Sequence, residues 1–343
     1  MPATTYSPWR FCVAPMMDWT DRHCRYFHRL LTRHARLYTE MVTTPALMHG
    51  NVPRHLDFNR QEHPVALQLG GSETGELALC ARLAEQWGYD EVNLNCGCPS
   101  ERVQRGAFGA CLMAEPALVR DCVKAMADAL KQPNPLSVTV KHRIGIDKTD
   151  SYEFVRDFVG TVSQGGARVF IVHARSAWLK GLSPKENREI PPLRYDFAAR
   201  LKQDFPDLTI VANGGIATHA GVAAQLAGGE VQLDGVMIGR QAYREPWWLT
   251  ETDARWFGAL AGGSTRLDVA ARMADYAARE IAEGTHLRSI TRHMLGLFQG
   301  MPGARSWRRM LSDSARLAQN DPQLILEAAA LTTVRQQPVM LAV

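Results

Sequence analysis

The feature that most constrains this chain is an eightfold alternation over its first 240 residues. Short β-branched apolar runs at Phe11–Pro15, Arg36–Thr39, Val65–Leu69, Glu91–Asn95, Ser137–Lys141, Val169–His173, Thr209–Ala212 and Gly235–Ile238 read as strands. Stretches with apolar spacing near 3.6, such as Glu76–Trp87, Pro116–Leu130, Ser151–Gln164 and His219–Ala227, read as the helices between them. Gly or Pro punctuates most junctions. Strand and helix repeated eight times predict an α/β fold, a (β/α)8 TIM barrel. The rival is a doubly wound sheet, but no GxGxxG follows the first strand. After Trp248 the strand-like runs stop. Helical patterns at Leu267–Glu283, Leu287–Gln299, Ala304–Ala318 and Pro322–Val334, broken by MPG at 301–303 and NDP at 320–322, predict an all-α C-terminal bundle of four helices. The expected domains are residues 1–248 and residues 249–343.

Composition narrows the class. Hydrophobic residues make up 46% and charged residues 22%, which excludes a disordered tail protein and a fibrous repeat. No apolar run approaches the ~20 residues of a membrane helix, and the N-terminus lacks the basic start and apolar core of a secretory signal. Seven cysteines, none beyond Cys122 and none in a CxxC pair, make a poor disulfide framework and no zinc array. A reducing, cytoplasmic location is expected.

In a barrel of this kind the chemistry sits at the C-terminal ends of the strands. Here those ends read Pro15-Met16-Met17, Thr39-Glu40, Gln68, Asn93-Leu94-Asn95, Lys141-His142-Arg143, His173-Ala174-Arg175, Asn213-Gly214-Gly215 and Gly239-Arg240. One polar residue at a strand end is usually a satisfied turn residue; a ring of them points to a site. Glycines after strands seven and eight let backbone N–H groups approach a phosphate, and Arg240 adds charge. Gln68 and Lys141 suit the edge of a flat heteroaromatic ring, and a Lys there favours the negative charge of a reduced flavin. His173 is in reach of a phosphate or a substrate. These features favour FMN. The alternative is a phosphosugar barrel with the same phosphate grip and a Schiff-base Lys.

The sharpest local feature is Asn93-Leu94-Asn95-Cys96-Gly97-Cys98-Pro99-Ser100. Cys98, in a Gly/Pro turn after strand four, falls at the barrel mouth, where a thiol serves as nucleophile or proton donor. The ordinary reading of a single Cys is a small core hydrophobe, and the placement of Cys98 beside Gly97 and Pro99 argues against it for that residue. A metal pair from Cys96 and Cys98 lacks two further ligands at metal spacing. The glycines of GAFGACLM at 106–113 read as a tight or mobile loop, a candidate lid.

Together, APMMDWTDRHCRYFHR at 14–29, LQLGGS at 67–72, NLNCGCPSERVQRGAFGACLM at 93–113, VKHRIGID at 140–147, HARSAWLKGLSPKENREIPPLRY at 173–195, NGGI at 213–216, IGRQAYREPWW at 238–248 and GARSWRR at 303–309 resemble the tRNA-dihydrouridine synthase family, most closely its DusA-type subgroup. The resemblance covers roughly residues 10–320. It implies an FMN-binding catalytic barrel followed by a helical tRNA-binding domain. It implies reduction of the uridine C5–C6 double bond in tRNA, at positions 20 and 20a of the D loop, with NADPH as reductant. By the matching motifs, Cys98 gives the proton to C5 while hydride from flavin N5 goes to C6. Pro15, Met16, Met17, Gln68, Lys141, His173, Asn213, Gly214, Gly215, Gly239 and Arg240 match FMN-binding positions. Asn95, Lys185, Arg188, Arg305 and Arg308 match tRNA contacts. Many relatives carry an aliphatic residue where Cys96 stands, so Cys96 is expected to pack. The expected partner is tRNA, without DNA or membrane, and the expected state is a monomer.

Charge supports an RNA partner separately. Of 39 basic residues only seven are Lys, an Arg excess that a GC-rich genome alone would produce. Its local clustering is more telling. Gly284 to Ser312 holds no acidic residue but carries Arg288, Arg292, Arg305, Arg308, Arg309, His286 and His293. A face of Arg forks without an acidic partner suits phosphates; the usual fate of such a run is a solvated helix face. Three functions follow: a flavin-dependent tRNA reductase, a flavin barrel acting on a small molecule, and an RNA-binding protein with a decayed site. The second predicts turnover without RNA, and the third predicts no bound flavin.

Overall fold

The structure is a computed structural model that describes residues 6–100, 106–131, 136–228, 231–260 and 262–333. Eight strands close into an all-parallel barrel in sequence order: β1 Phe11–Val13, β2 Arg36–Thr43, β3 Val65–Gly70, β4 Glu91–Cys96, β5 Ser137–Arg143, β6 Val169–His173, β7 Thr209–Asn213 and β8 Gly235–Ile238. Each expected strand is present. The largest difference is β2, which runs on to Thr43. Its register against β3 slips between Tyr38 and Met41, so Thr39-Glu40 lies at a bulge inside the strand and not at its end. There the Thr39 hydroxyl accepts the Gln68 N–H at 3.0 Å.

Helices follow the strands: α1 Arg22–Leu31, α2 Thr44–His49, α3 Val52–Leu56, α4 Thr74–Gln86, α5 Pro116–Asp128, α6 Tyr152–Ser163, α7 Tyr195–Asp204 and α8 His219–Leu226. Beyond β8 come α9 Arg240–Arg244, α10 Thr252–Phe257, α11 Arg266–Ala282, α12 Leu287–Thr291, α13 Ala304–Met310, α14 Ser314–Leu317 and α15 Gln323–Thr333. The chain divides into two compact units, Met1–Thr20 with Ala35–Gly239, and Asp21–His34 with Arg240–Val343. In this division α1 and α9, both on the barrel side of the expected boundary, group with the C-terminal helices.

The barrel interior has two chemistries. Strands pleat with period two, and from β1, β2, β6, β7 and β8 the inward residues Cys12, Ala14, Tyr38, Val169, Ile171, Val211 and Met237 pack one apolar cluster with Ala66. On β4 the opposite holds. Val92, Leu94 and Cys96 alternate with Glu91, Asn93 and Asn95, and all six are buried. The polar set bonds to β3 and β5 across the barrel interior. At its foot Glu91, 0% exposed, accepts from Tyr38 Oη and Trp9 Nε1 at 2.7 Å each and pairs with Arg36 at 3.3 Å.

In the second unit α1 is a partner of the C-terminal helices. Asp21 caps it, accepting from His23 N and Cys24 N. Tyr26 stacks on Tyr276 of α11 with ring centroids 4.0 Å apart, and Arg22 pairs with Glu280 at 2.6 Å. α11 opens on a capping box between Thr265 and Asp268. Two expected helices are broken. The one expected over 287–299 ends at Thr291 and continues as turns over 292–300, where Gly296 packs on the Arg244 carbonyl so that a Cβ would lie 2.4 Å from the oxygen. The one expected over 304–318 splits because Asp313 caps a new start, accepting from Ala315 N and Arg316 N. Val334 lies outside the described residues. No described helix is long and apolar enough to cross a membrane.

Candidate active site at the barrel mouth

The sequence requires the NxNCGCP segment to leave β4 at its C-terminal end, and it does. Asn95 is the last inward residue of the strand, and its carboxamide oxygen accepts the backbone N–H groups of Gly97 and Cys98, each at 3.0 Å. That double acceptance turns the chain sharply and leaves Cys98 half-buried at the mouth. Cys98 Sγ lies 3.6 Å from Ser100 Oγ. Cys96, on the outward face, is 0% exposed, and burial pushes its thiol well up. Cys96 therefore packs, as expected.

Three further carbonyls tie this loop to its neighbours. Arg143, the last residue of β5, donates from Nε to Gly97 O at 3.2 Å, and from Nη1 to Ser176 O at 3.2 Å and Asn187 O at 2.9 Å. Among the described residues no carboxylate pairs with it, and burial lowers its pKa. Asn187 is fully buried. It accepts from Trp178 N at 2.7 Å and donates to Trp178 O at 2.9 Å, which folds the β6 loop onto itself. Neither Arg143 nor Asn187 stood among the expected site residues. Arg143 was visible only as a strand-end residue, and Asn187 sits in a polar loop with no spacing signal.

Next to this brace stand Lys141 and His173. Among the described residues neither side chain has a hydrogen bond or ion pair. Burial lowers the Lys141 ammonium to about 7, helped by the Arg143 charge and opposed by Cys98. Burial drives His173 well below its usual value, and Arg143, Lys141, Arg175 and Arg188 reinforce the shift. Arg143, Lys141, Arg175 and Arg188 thus bring positive charge to bear on His173 at the mouth. Such a field suits an anionic ligand.

The glycines complete the fit. Gly214 and Gly215 have φ of +109° and +69°. A Cβ on Gly214 would stand 2.6 Å from His173 Cδ2, and one on Gly215 would stand 2.6 Å from Leu193 Cδ1. At Gly239 a Cβ would meet protein only at 3.7 Å, so the protein leaves space there. Pro15 and Met16 are half-buried after β1, Met17 is 54% exposed, and Arg240 opens α9. Glycine backbone without side chains, an unpartnered Lys and His, and the neighbouring arginines fit a flavin phosphate and ring.

Two expected ligand groups face inward instead. Asn213 donates its carboxamide to Met237 O at 2.8 Å, and its backbone oxygen accepts the Ala174 N–H at 2.9 Å. Gln68 is 1% exposed, with its oxygen taken by Asn95 and one amide hydrogen by Asn93. It has only its second N–H to offer a ligand. Asn95, an expected tRNA contact, is similarly committed and 9% exposed. Lys185 and Arg188 are exposed on the β6 loop. In the candidate lid at 106–113, Phe108, Gly109, Ala110, Leu112 and Met113 are buried, and Ala110 N donates to Cys98 O at 2.9 Å. Residues 101–105, which precede this segment, lie outside the described residues.

In the second unit, Arg305 and Arg309 are exposed, and Arg308 donates to Gln299 Oε1 at 2.7 Å. Trp307, 0% exposed, anchors α13 beneath them through Met294 O at 3.1 Å. Arg292 and His293 leave the expected basic face. Both bind the Asp21 carboxylate, at 2.6 Å and 3.0 Å, a partner far away in sequence.

The family model described as Dihydrouridine synthase (Dus) matches residues 12–334. The chain belongs to the dihydrouridine synthase family. Dihydrouridine synthases are flavin-dependent oxidoreductases, in keeping with the mouth described above. A tRNA-dihydrouridine(20/20a) synthase of Escherichia coli K12 is 56% identical over 334 residues, 96% of this chain and 94% of that one. One of Pseudomonas aeruginosa is 57% identical over 320 residues, 93% and 94% of the two chains. A solved structure of 2-naphthoyl-CoA reductase with 2-naphthoyl-CoA aligns at TM-score 0.55 and 11% identity, covering 74% of this chain and 51% of that one, a likeness of fold alone.

Proposed function

We propose that this dihydrouridine synthase reduces the C5–C6 double bond of uridines 20 and 20a in the D loop of tRNA, with FMN as its flavin and NADPH as the reductant. The observation that carries this reading is the half-buried Cys98 after β4 together with an unpartnered Lys141 and a His173 packed against the glycine backbone of 214–215. Bound reduced FMN would supply a hydride to C6. The Cys98 thiol gives the proton to C5, so two electrons and two hydrogens are added and the thiolate is reprotonated from solvent. Lys141, charged below about pH 7 before any ligand binds, holds negative charge on the flavin ring. His173, kept neutral by burial and then by its cationic neighbours, offers a hydrogen bond without adding charge.

The backbone of Gly214, Gly215 and Gly239, with Arg240, would hold the phosphate, and Pro15, Met16 and Met17 would line the ring. Lys185, Arg188, Arg305 and Arg308 would meet tRNA phosphates through charge and, for Arg, the bidentate fork. The target base has to leave its stack to reach the mouth. The enzyme is expected to act as a monomer in the cytoplasm, without DNA or membrane partners.

The test is the visible spectrum of the purified protein in air-free buffer. A flavin band bleached by NADPH and restored by unmodified tRNA, with dihydrouridine formed, supports the reading. Restoration by a small enoate but not by tRNA would replace it with a small-molecule reductase. Failure to take up FMN would refute it.

A further inference from the structure

The hydrogen bonds along the polar side of the barrel all run in one sense. Cys98 N–H donates to Asn95 Oδ1 at 3.0 Å. Asn95 Nδ2 donates to Gln68 Oε1 at 2.9 Å, and Gln68 Nε2 to Asn93 Oδ1 at 2.7 Å. Asn93 Nδ2 donates to Thr139 Oγ1 at 2.7 Å, and the Thr139 hydroxyl donates to Glu91 Oε1 at 2.5 Å. Strand register makes this geometry. Gln68, Asn93 and Thr139 are lateral partners on β3, β4 and β5, with Glu91 two residues below Asn93 and Asn95 two above.

The direction is forced from both ends. A backbone N–H only donates, and a carboxylate only accepts. Between them each carboxamide has one orientation that satisfies both neighbours. Turning Asn95 over would set its NH2 against the N–H groups of Gly97 and Cys98. A one-way chain in a buried setting also strengthens each bond through its neighbours. Glu91 is held at its post by Tyr38, Trp9 and Arg36.

We propose that Glu91, Thr139 and Asn93 are positioning residues for uridine reduction. From the foot of the barrel they fix the Asn95 carbonyl that holds the 97–98 turn, and so set the point from which the Cys98 thiol delivers its proton. None of the three touches that thiol; they act through Gln68 and Asn95. The inference rests on the proposed role of Cys98.

The test compares Thr139→Val, which keeps the shape and removes the hydroxyl, with Thr139→Ser, which restores it. FMN-loaded enzyme is followed in two half-reactions: flavin reduction by NADPH, and reoxidation by unmodified tRNA transcript without oxygen. For Thr139→Val, reoxidation at saturating tRNA is expected to slow about tenfold or more, the effect of losing one transition-state alignment. Flavin reduction and the half-saturating tRNA concentration are expected to stay within about twofold, and Thr139→Ser to return near wild type. Should Thr139→Val not fold, Asn93→Leu breaks the same chain one link nearer the loop and is read the same way. A wild-type rate in the variant that folds, equal slowing of both half-reactions, or no rescue by Ser would overturn the positioning chain. A wild-type enzyme whose flavin is not reoxidised by tRNA would overturn the proposed function itself, and the chain's role with it.

Discussion

Arg143 Nε donates to the carbonyl oxygen of Gly97, 3.2 Å away, one residue before Cys98. With Asn95 gripping the same turn by its N–H groups, the loop is held from both sides of its peptide plane. Only a fork-shaped donor also reaches Ser176 and Asn187. Arg143→Lys is therefore expected to slow tRNA-dependent flavin reoxidation about tenfold or more. Single-turnover stopped flow reads the outcome, and an unchanged rate would show that the brace is dispensable.

Cys98→Ala removes the proposed proton donor but none of the groups proposed to hold the flavin. Flavin reduction by NADPH is expected to continue, while dihydrouridine yield on unmodified tRNA falls by about a hundredfold or more. Mass spectrometry of the digested tRNA measures it, and full yield would take Cys98 out of the reaction.

Lys141 makes flavin affinity depend on pH. Its folded pKa, about 7, lies below the usual Lys value. An anionic ligand binds its charged form better and raises that pKa, so FMN affinity for the apoprotein is expected to weaken as pH rises from about 7 towards 9. Lys141→Met is expected to flatten the profile. The same shift has a stability side. Between about 7 and the unfolded value near 10.4 the unfolded chain holds more protons, so this group's contribution to stability rises with pH across that window. Fluorescence titration of FMN at several pH values tests the first point.

Arg305→Ala with Arg308→Ala is expected to weaken tRNA binding while FMN stays bound. If each Arg neutralises one phosphate, the slope of log affinity against log salt should fall by about 1.4–1.8. A salt titration with an unchanged slope would remove α13 from the tRNA contact surface.

Asp21 links the cap of α1 to Arg292 and His293. Burial alone would raise its carboxyl, but hydrogen bonds from His293, Cys24 N and Arg292 hold it well below the usual range. Its stabilisation is complete above the unfolded Asp value, near 3.9, and is lost as pH falls below that. Asp21→Ala is expected to cost about 2 kcal/mol at neutral pH, through cap and ion pair together. Thermal unfolding at pH 7 and at pH 3 checks it, since the deficit should shrink in acid.

Much of this was legible in the sequence, and the reasons are local. The eight strands were found because buried parallel strands are short apolar runs between Gly and Pro. The placement of Cys98 just after β4 was legible because its turn is written in adjacent residues. The bulge in β2 was not, since nothing in RLYTEMVT marks a register slip. The Asp21 bond to Arg292 and His293 crosses 271 and 272 residues, and a run without acids therefore read as an open basic face. The inward turn of Gln68 and Asn95 depends on lateral register between strands, which no single strand encodes. Glu91 and Asn93 showed as polar letters in a buried strand, a sign that identifies a network only once the barrel is closed.

The placement of α1 in the second unit bears on inheritance. A reading frame cut after Gly239 would separate Tyr26 from Tyr276 and Arg22 from Glu280. The C-terminal segment would in turn lose the helix it stacks against. Neither half is a transferable cassette: the chain's own continuity keeps catalytic barrel and helical unit from being shuffled apart by a single recombination between them.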